Sequence, residues 1–265
     1  MPPQRPSYAH PHGVPRRQLL IDELKAHPPG EAAALLASVA PHVALVALTE
    51  LNPSFTQNIL ADLPPERRAA IVECAAPELA RQWEINKTFE EGAIGRLMEP
   101  AYAVFRPDMS VGEAVEALRA LIKTAFVTYG YVTDAEGRLL GLITMGDLLF
   151  SERSARLGDI MLGAVFSFRP DTPVSEAMKL TLSRHYPVYP VCDEGNHLLG
   201  LVRGQTIFET EAFEITAQAG TMVGVDKEER ISTPMLRSFR FRHPWLQLNL
   251  LINRKIDRHV KRMGG

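Results

Sequence analysis

Three glutamates, Glu209, Glu211 and Glu214, stand within six residues in the segment FETEAFE. Carboxylate oxygens are ligands for a hard cation such as Mg²⁺, but the same spacing also suits an acidic helix face in contact with water. The sequence lacks the GxSxG, HExxH and phosphate-binding-loop patterns, and no nucleophile has a base spaced to activate it. The residues that could do chemistry therefore indicate ligand binding, and we predict no enzymatic activity.

The composition is that of a soluble globular protein, with 46% hydrophobic and 23% charged residues among 265. This length suits two or three small domains. The longest apolar run covers only residues 245–252, whereas a membrane-spanning helix needs about 20 apolar residues. Residues 1–17 contain five prolines and no apolar core of a signal peptide. We therefore expect a disordered lead on a cytoplasmic protein that does not cross a membrane.

Positive charge is concentrated near the C-terminal end. Residues 231–265 carry eight Lys/Arg and one Asp, a net charge of +7, although the whole chain has a net charge of −2. Apolar residues recur there at helical spacing between basic ones: Trp245, Leu248, Ile252, Ile256, Val260 and Met263. This pattern predicts a basic amphipathic helix that lies on a membrane surface or a partner, or one that packs on the rest of the chain. No recognised nucleic-acid-binding fold accompanies the charge.

A proline repeat dominates the first third of the chain. Prolines recur every twelve residues at Pro29, Pro41, Pro53, Pro65 and Pro77, and small or apolar trios follow the first four at constant spacing. Proline is tolerated at the first position of a helix, where its missing N–H would have no partner. Each proline therefore predicts a short helix with one apolar side. Such helices are stable only when stacked, which predicts a small helical superstructure over residues 18–86.

A longer repeat follows. GRLMEPAYAVFRPDMSVGEAVEAL from Gly95 is echoed by GDIMLGAVFSFRPDTPVSEAMKLT from Gly158, and DAEGRLLGLITMGDLL from Asp134 is echoed by DEGNHLLGLVRGQTIF from Asp193. Each copy predicts a short extended segment, a helix, two strands joined by a turn, and a closing helix. The longer strands are expected in FVTYGYVTD and LLGLI, and in YPVYPVCD and LLGLV. This order, found twice, resembles a pair of CBS domains, a family whose clefts accommodate adenine nucleotides.

The arrangement as a whole resembles the cytosolic portion of the MgtE-type magnesium transporters. The proline-led helices, the linker FEEGAIGRLMEP, the CBS pair and the segment TPMLRSFRFRHPWLQLNLL occur in the same order there, over residues 25–252. In that family a basic plug helix then leads into a membrane pore, which we expect to be absent here. The implied domains are a disordered lead (1–17), a helical domain (18–88), CBS domains (89–152 and 153–213), and a linker, plug-like helix and basic tail (214–265).

The resemblance implies a nucleotide site in the first CBS copy. Its closing helix begins with Thr144 and Asp147, where the family has a hydroxyl and a carboxylate. The hydroxyl and nearby backbone N–H groups suit phosphate, and the carboxylate can accept hydrogen bonds from ribose. Tyr129 and Tyr186 match the aromatic residues that stack on adenine in MgtE relatives. Taken singly, the first pair is better interpreted as a helix cap and the tyrosines as core residues. Taken as a set inside a CBS pair, the four residues favour a nucleotide site.

The second copy departs from this pattern. Arg203 and Thr206 stand at the positions of the hydroxyl and the carboxylate, so we expect at most one cleft to hold a ribose in this way. Acidic positions that the resemblance links to magnesium sensing are also replaced, by His185, Thr206, Ala217 and Gln218. Glu209 and Glu214 remain as candidate Mg²⁺ ligands.

We predict an α+β protein, with an N-terminal helical repeat (superhelical) domain, a tandem CBS domain pair and a C-terminal helix. The leading hypothesis is a regulatory region that binds ATP or AMP, and Mg²⁺ weakly, to control magnesium transport or homeostasis. It would form a homodimer through the CBS pair, in the cytoplasm or at the inner face of the membrane beside a transporter partner. The alternative is a stand-alone CBS adaptor whose basic tail docks on a membrane surface or a protein partner.

Overall fold

The computed structural model describes residues 16–123, 125 and 127–222. Residues 1–15 of the predicted disordered lead and residues 231–265, which hold the predicted plug-like helix and basic tail, lie outside the described residues. Within the described ranges, no helix combines the length and the apolar character that crossing a membrane requires.

Six helices form the N-terminal domain, and the repeated prolines open five of them. The helices are α1 (Arg16–Ala26), α2 (Pro29–Ala37), α3 (Pro41–Leu48), α4 (Pro53–Asp62), α5 (Pro65–Glu73) and α6 (Pro77–Asn86). Each proline lies in the first turn of its helix, as the repeat predicts. The apolar trios of the repeat all belong to one core, in which Leu36, Leu48 and Ile59 are fully buried. Each helix thus covers apolar surface that its neighbours could not bury alone.

The first CBS copy has the predicted element order. A 3₁₀ turn (Ile94–Leu97) leads into β1 (Val104–Phe105), α7 (Val111–Leu121), β2 (Tyr129–Thr133), β3 (Leu139–Thr144) and α8 (Met145–Phe150). Strand β1 pairs parallel to β2, and β2 pairs antiparallel to β3. Apolar side chains of α7 and α8 pack with those of β2 and β3 in one core. The core therefore holds α8, and with it Thr144, at the end of the sheet.

The second CBS copy is shorter at its start than the sequence predicts. Its elements are α9 (Leu157–Ile160), β4 (Leu162–Gly163), α10 (Val174–Arg184), β5 (Val188–Cys192), β6 (Leu198–Arg203) and α11 (Gly204–Met222). Strand β4 joins the first sheet, whose order is β1-β2-β3-β4, while β5 and β6 pair antiparallel. The expected extended segment at its start is reduced to a parallel bridge between Phe168 and Val191. Pro170, two residues later, has no N–H to extend this pairing.

The two copies meet at the tips of their hairpins. The Leu139 N–H donates to the Asn196 carbonyl at 2.8 Å, and the Leu198 N–H donates to the Gly137 carbonyl at 3.0 Å. A small apolar cluster that includes fully buried Tyr131 lies behind these bonds. The strands of the first copy are thereby fixed against those of the second.

Candidate functional site

Thr144 and Asp147 hold each other at the start of α8. The Thr144 backbone N–H and its hydroxyl both donate to Asp147 Oδ2 at 2.8 Å, and the Asp147 N–H donates to Thr144 Oγ1 at 3.2 Å. These contacts form a capping box, in which two side chains satisfy backbone groups reciprocally. The box uses only Oδ2 of the Asp147 carboxylate.

Tyr129 connects this pair to the second copy. The register of β2 and β3 places Tyr129 directly opposite Thr144. Tyr129 is half-buried, and burial raises the pKa of its hydroxyl, with smaller contributions from nearby Tyr186 and Tyr189. Tyr129 thus lies opposite Thr144 on its own sheet, and Tyr186 of the other copy is near enough to influence the pKa of its hydroxyl.

Tyr189 supports this site, although the sequence analysis did not select it. Its ring is fully buried and lies 5.8 Å from the Tyr186 ring, centroid to centroid. Its hydroxyl oxygen accepts a hydrogen bond from the Tyr186 N–H at 3.1 Å. The strand pattern of YPVYPVCD marks Tyr189 as a core residue, but it carries no sign that the hydroxyl holds the backbone of Tyr186.

The equivalent position of the second copy holds an ion pair. Arg203 lies opposite Val188 in the pairing of β5 and β6, and its Nη2 lies 2.6 Å from Glu99 Oε2. Burial raises the pKa of the Glu99 carboxyl, and the charge and hydrogen bond of Arg203 offset part of that rise. Thr206, which replaces the carboxylate, is buried. The two copies therefore present different chemistry at equivalent places.

A cavity lies between the helical domain and the second CBS copy. This interdomain cleft has a volume of about 930 Å³ and lies between α4, the linker after α6 and α11. Its charged lining comprises Glu50, Asp62, Glu91, Glu99, Glu209, Glu214, Lys25, Arg96 and Arg203. Among the residues that the structure describes, no group of three or more His, Cys, Asp or Glu side chains could hold a metal ion. Glu209 and Glu214 thus line the cleft, and their role as Mg²⁺ ligands stays a prediction.

Comparison with known proteins first identifies the domain pair. The CBS domain family model matches residues 94–153 and 157–210, where the two repeats fold. The chain therefore contains a pair of CBS domains, as the repeats predict.

The helical domain and the CBS pair together are similar to one kind of transporter. Magnesium transporter MgtE of Thermus thermophilus is 31% identical over 184 residues, which cover 69% of this chain and 38% of the transporter. The chain thus spans well under half the length of this relative. The crystal structure of the cytosolic domain of the Mg²⁺ channel MgtE in complex with ATP matches with a TM-score of 0.61 and 27% identity, covering 73% of this chain and 83% of that one.

A third comparison supports the fold. The crystal structure of the soluble part of a magnesium transporter matches with a TM-score of 0.59 and 22% identity, covering 75% of this chain and 82% of that one. The predicted fold class, a helical domain followed by a CBS pair, is confirmed. The predicted resemblance to the cytosolic portion of the MgtE-type magnesium transporters is confirmed as well.

Proposed function

We propose that this chain is a regulatory, non-enzymatic region that binds an adenine nucleotide and controls magnesium transport or homeostasis from the cytoplasm. The observation that supports the proposal is the pairing of Tyr129 with Thr144 across β2 and β3, together with the influence of Tyr186 of the other copy on the pKa of the Tyr129 hydroxyl. The similar MgtE cytosolic domain was crystallised in complex with ATP, which supports the same ligand class here.

The nucleotide would use both copies. Tyr186, whose side chain is half exposed, and Tyr129 would lie against the adenine ring, because aromatic faces stack favourably on a base. Asp147 Oδ1 would accept hydrogen bonds from the ribose. A second such site in the other copy is disfavoured, because Arg203 is paired with Glu99 where the first copy has its hydroxyl.

Mg²⁺ binding in the interdomain cleft is proposed only as a weak interaction. The cleft lining carries six acidic and three basic side chains, which favours a cation. However, the described carboxylates form no cluster of three, whereas a tight Mg²⁺ site needs several oxygen ligands in octahedral geometry.

We also propose a homodimer through the CBS pair. Large apolar side chains are exposed on or beside the helices of both copies: Ile122, Leu149, Phe150, Leu182 and Phe208. Leu149 and Phe150 of α8 are 75% and 88% exposed. A partner that covered these side chains would remove their apolar surface from water, and a second copy of the chain would do so symmetrically.

Nucleotide binding is tested by Asp147→Ala with a matched control. Helix α7 begins with the same capping box, in which Ser110 N–H and Oγ donate to Glu113 Oε2 at 2.8 and 2.7 Å. Glu113→Ala therefore removes an equivalent capping box from α7, which lies outside the proposed nucleotide site. In calorimetric titrations with ATP and AMP, Asp147→Ala should weaken binding about tenfold or more, since a hydrogen bond to a charged group contributes about 1.5–3 kcal/mol.

Glu113→Ala should leave the affinity unchanged within about twofold if the site lies where we place it. Equal affinities for wild type and Asp147→Ala would contradict the site assignment. No heat with ATP, AMP or MgCl₂ would instead favour the stand-alone adaptor.

A further inference from the structure

The guanidinium of Arg184 lies over an aromatic ring at the end of α10. Arg184 is exposed, and its Cζ lies 4.0 Å from the centroid of the Phe166 ring. Among the described residues no carboxylate pairs with Arg184, whereas Arg119, Arg153 and Arg203 each pair with a glutamate. A guanidinium stacked on a ring still directs its N–H donors outward in its own plane. Arg184 therefore retains both its charge and its donors for a ligand.

Arg184 belongs to the same aromatic cluster as Tyr186. The Phe166 ring meets Tyr189 edge to face with centroids 6.2 Å apart, and the Tyr189 ring lies 5.8 Å from the Tyr186 ring. Between Arg184 and Tyr186, His185 has a φ of 58°, a left-handed conformation that ends the helix. The Tyr189 hydroxyl oxygen accepts a hydrogen bond from the Tyr186 N–H at 3.1 Å. These contacts hold the cation at a fixed place relative to Tyr186.

Phe166 also connects Arg184 to the first copy. Strand β4, which ends three residues before Phe166, pairs with β3 through Leu162 and Leu142. Val165, the residue before Phe166, belongs to the same apolar cluster as Tyr129. The ring beneath Arg184 is thus carried by a segment that the first copy anchors, through a strand and through the cluster that includes Tyr129.

The residues of the proposed nucleotide site lack a cation. The four predicted residues, Tyr129, Tyr186, Thr144 and Asp147, comprise one carboxylate and no basic group. A phosphate group carries a charge of about −1.5 to −2 at neutral pH, and a chain of three phosphates carries more. The planar fork of an arginine matches phosphate oxygens with parallel N–H donors. Arg184 can supply this fork, because it lies two residues from Tyr186.

We propose that Arg184 binds the phosphate chain of the nucleotide and makes the site select ATP over AMP. The inference deepens the proposed function and rests on it. Stacking on Tyr129 and Tyr186 and the ribose contact with Asp147 are common to both nucleotides, so they do not discriminate between them. A guanidinium that binds the phosphates beyond the first contributes only to ATP binding. Stacking on Phe166 orders Arg184 before the ligand arrives, which reduces the entropy cost of the contact.

The test is calorimetric titration of the full chain with ATP and with AMP, in EDTA so that no metal ion bridges ligand and protein. We expect the wild type to bind ATP about tenfold or more tightly than AMP. Arg184→Gln removes the charge and should weaken ATP binding about tenfold or more, while AMP binding changes less than about threefold. Arg184→Lys keeps the charge but loses the fork, so its ATP affinity should fall between the other two.

Arg119→Gln is the matched control. Arg119 is likewise a basic residue in the last turn of its helix, α7, but it pairs with Glu116. This variant should leave both affinities unchanged within about twofold. Higher salt should narrow the ATP preference of the wild type and change that of Arg184→Gln little, because salt screens the contact between charges.

Either of two results would overturn the role of Arg184: the wild type binds ATP and AMP alike, or Arg184→Gln changes both affinities by the same factor. If Asp147→Ala still weakened AMP binding in that case, the proposed function would stand while this inference failed. A wild type that binds neither nucleotide would overturn both proposals.

Discussion

The hydroxyl of Tyr131 offers a sharp test of the core between the two CBS copies. Tyr131 is 1% exposed, and in the described part of the chain its hydroxyl oxygen has no hydrogen-bond partner. A buried polar group without a partner costs about 1–3 kcal/mol. Tyr131→Phe removes only this oxygen and keeps the edge-to-face contact with Tyr129, whose ring centroid lies 6.4 Å away.

We expect Tyr131→Phe to raise the free energy of unfolding by about 1 kcal/mol, or the Tm by about 2–4 °C. The matched control is Tyr189→Phe, the same substitution at another fully buried tyrosine. There the hydroxyl oxygen accepts a hydrogen bond from the Tyr186 N–H. Removal of the hydroxyl should therefore lower the free energy of unfolding by about 0.5–1.5 kcal/mol. Urea unfolding followed by circular dichroism gives both values.

The same tyrosine predicts a pH dependence. Burial, with smaller contributions from Tyr129 and Cys192, raises the pKa of Tyr131 above its usual value of 10.0. Because burial disfavours the ionised hydroxyl, the free energy of unfolding falls as the pH rises above the pKa that Tyr131 has in the unfolded chain. Above a pH of about 10, the wild type should therefore lose stability more steeply than Tyr131→Phe. Destabilisation by Tyr131→Phe at neutral pH, or parallel alkaline profiles, would refute this reasoning.

Two further predictions concern the dimer and the end of α10. Leu149→Glu should convert the proposed dimer to a monomer in light-scattering measurements, because a charge would be buried between the two subunits. The control Leu19→Glu, at a 55% exposed site of the helical domain, should leave the dimer intact. A wild-type monomer, or a dimer that survives Leu149→Glu, would contradict the proposed interface. His185→Gly should raise the free energy of unfolding by up to about 1 kcal/mol, because exposed His185 caps α10 with a φ of 58°, where glycine is free of strain. Lys179→Gly, inside the same helix, should lower the free energy of unfolding by about 1 kcal/mol. A loss of stability in both variants would rule out relief of backbone strain at His185.

Several features of the fold followed from the sequence because they depend on neighbours along the chain. Proline at the first helical position restricts only its own turn, so the repeated prolines predicted where α2 to α6 begin. The repeated strand and helix patterns predicted both CBS copies. The capping box of Thr144 and Asp147 is also local, since its partners are three residues apart, and it appeared as one of the two interpretations of that pair.

Other features depended on which segments meet in three dimensions. Tyr129 and Tyr131 stand two residues apart on β2, yet only Tyr131 is fully buried, because the hairpin of the second copy covers it. A hydrogen bond from Asn52 to Thr210 joins residues 158 positions apart, and no local pattern distinguishes this asparagine from an ordinary helix cap. Sequence spacing thus determined the elements, whereas the docking of the copies and of α4 decided which polar groups are paired, because hydrogen bonds and burial depend on distance in space.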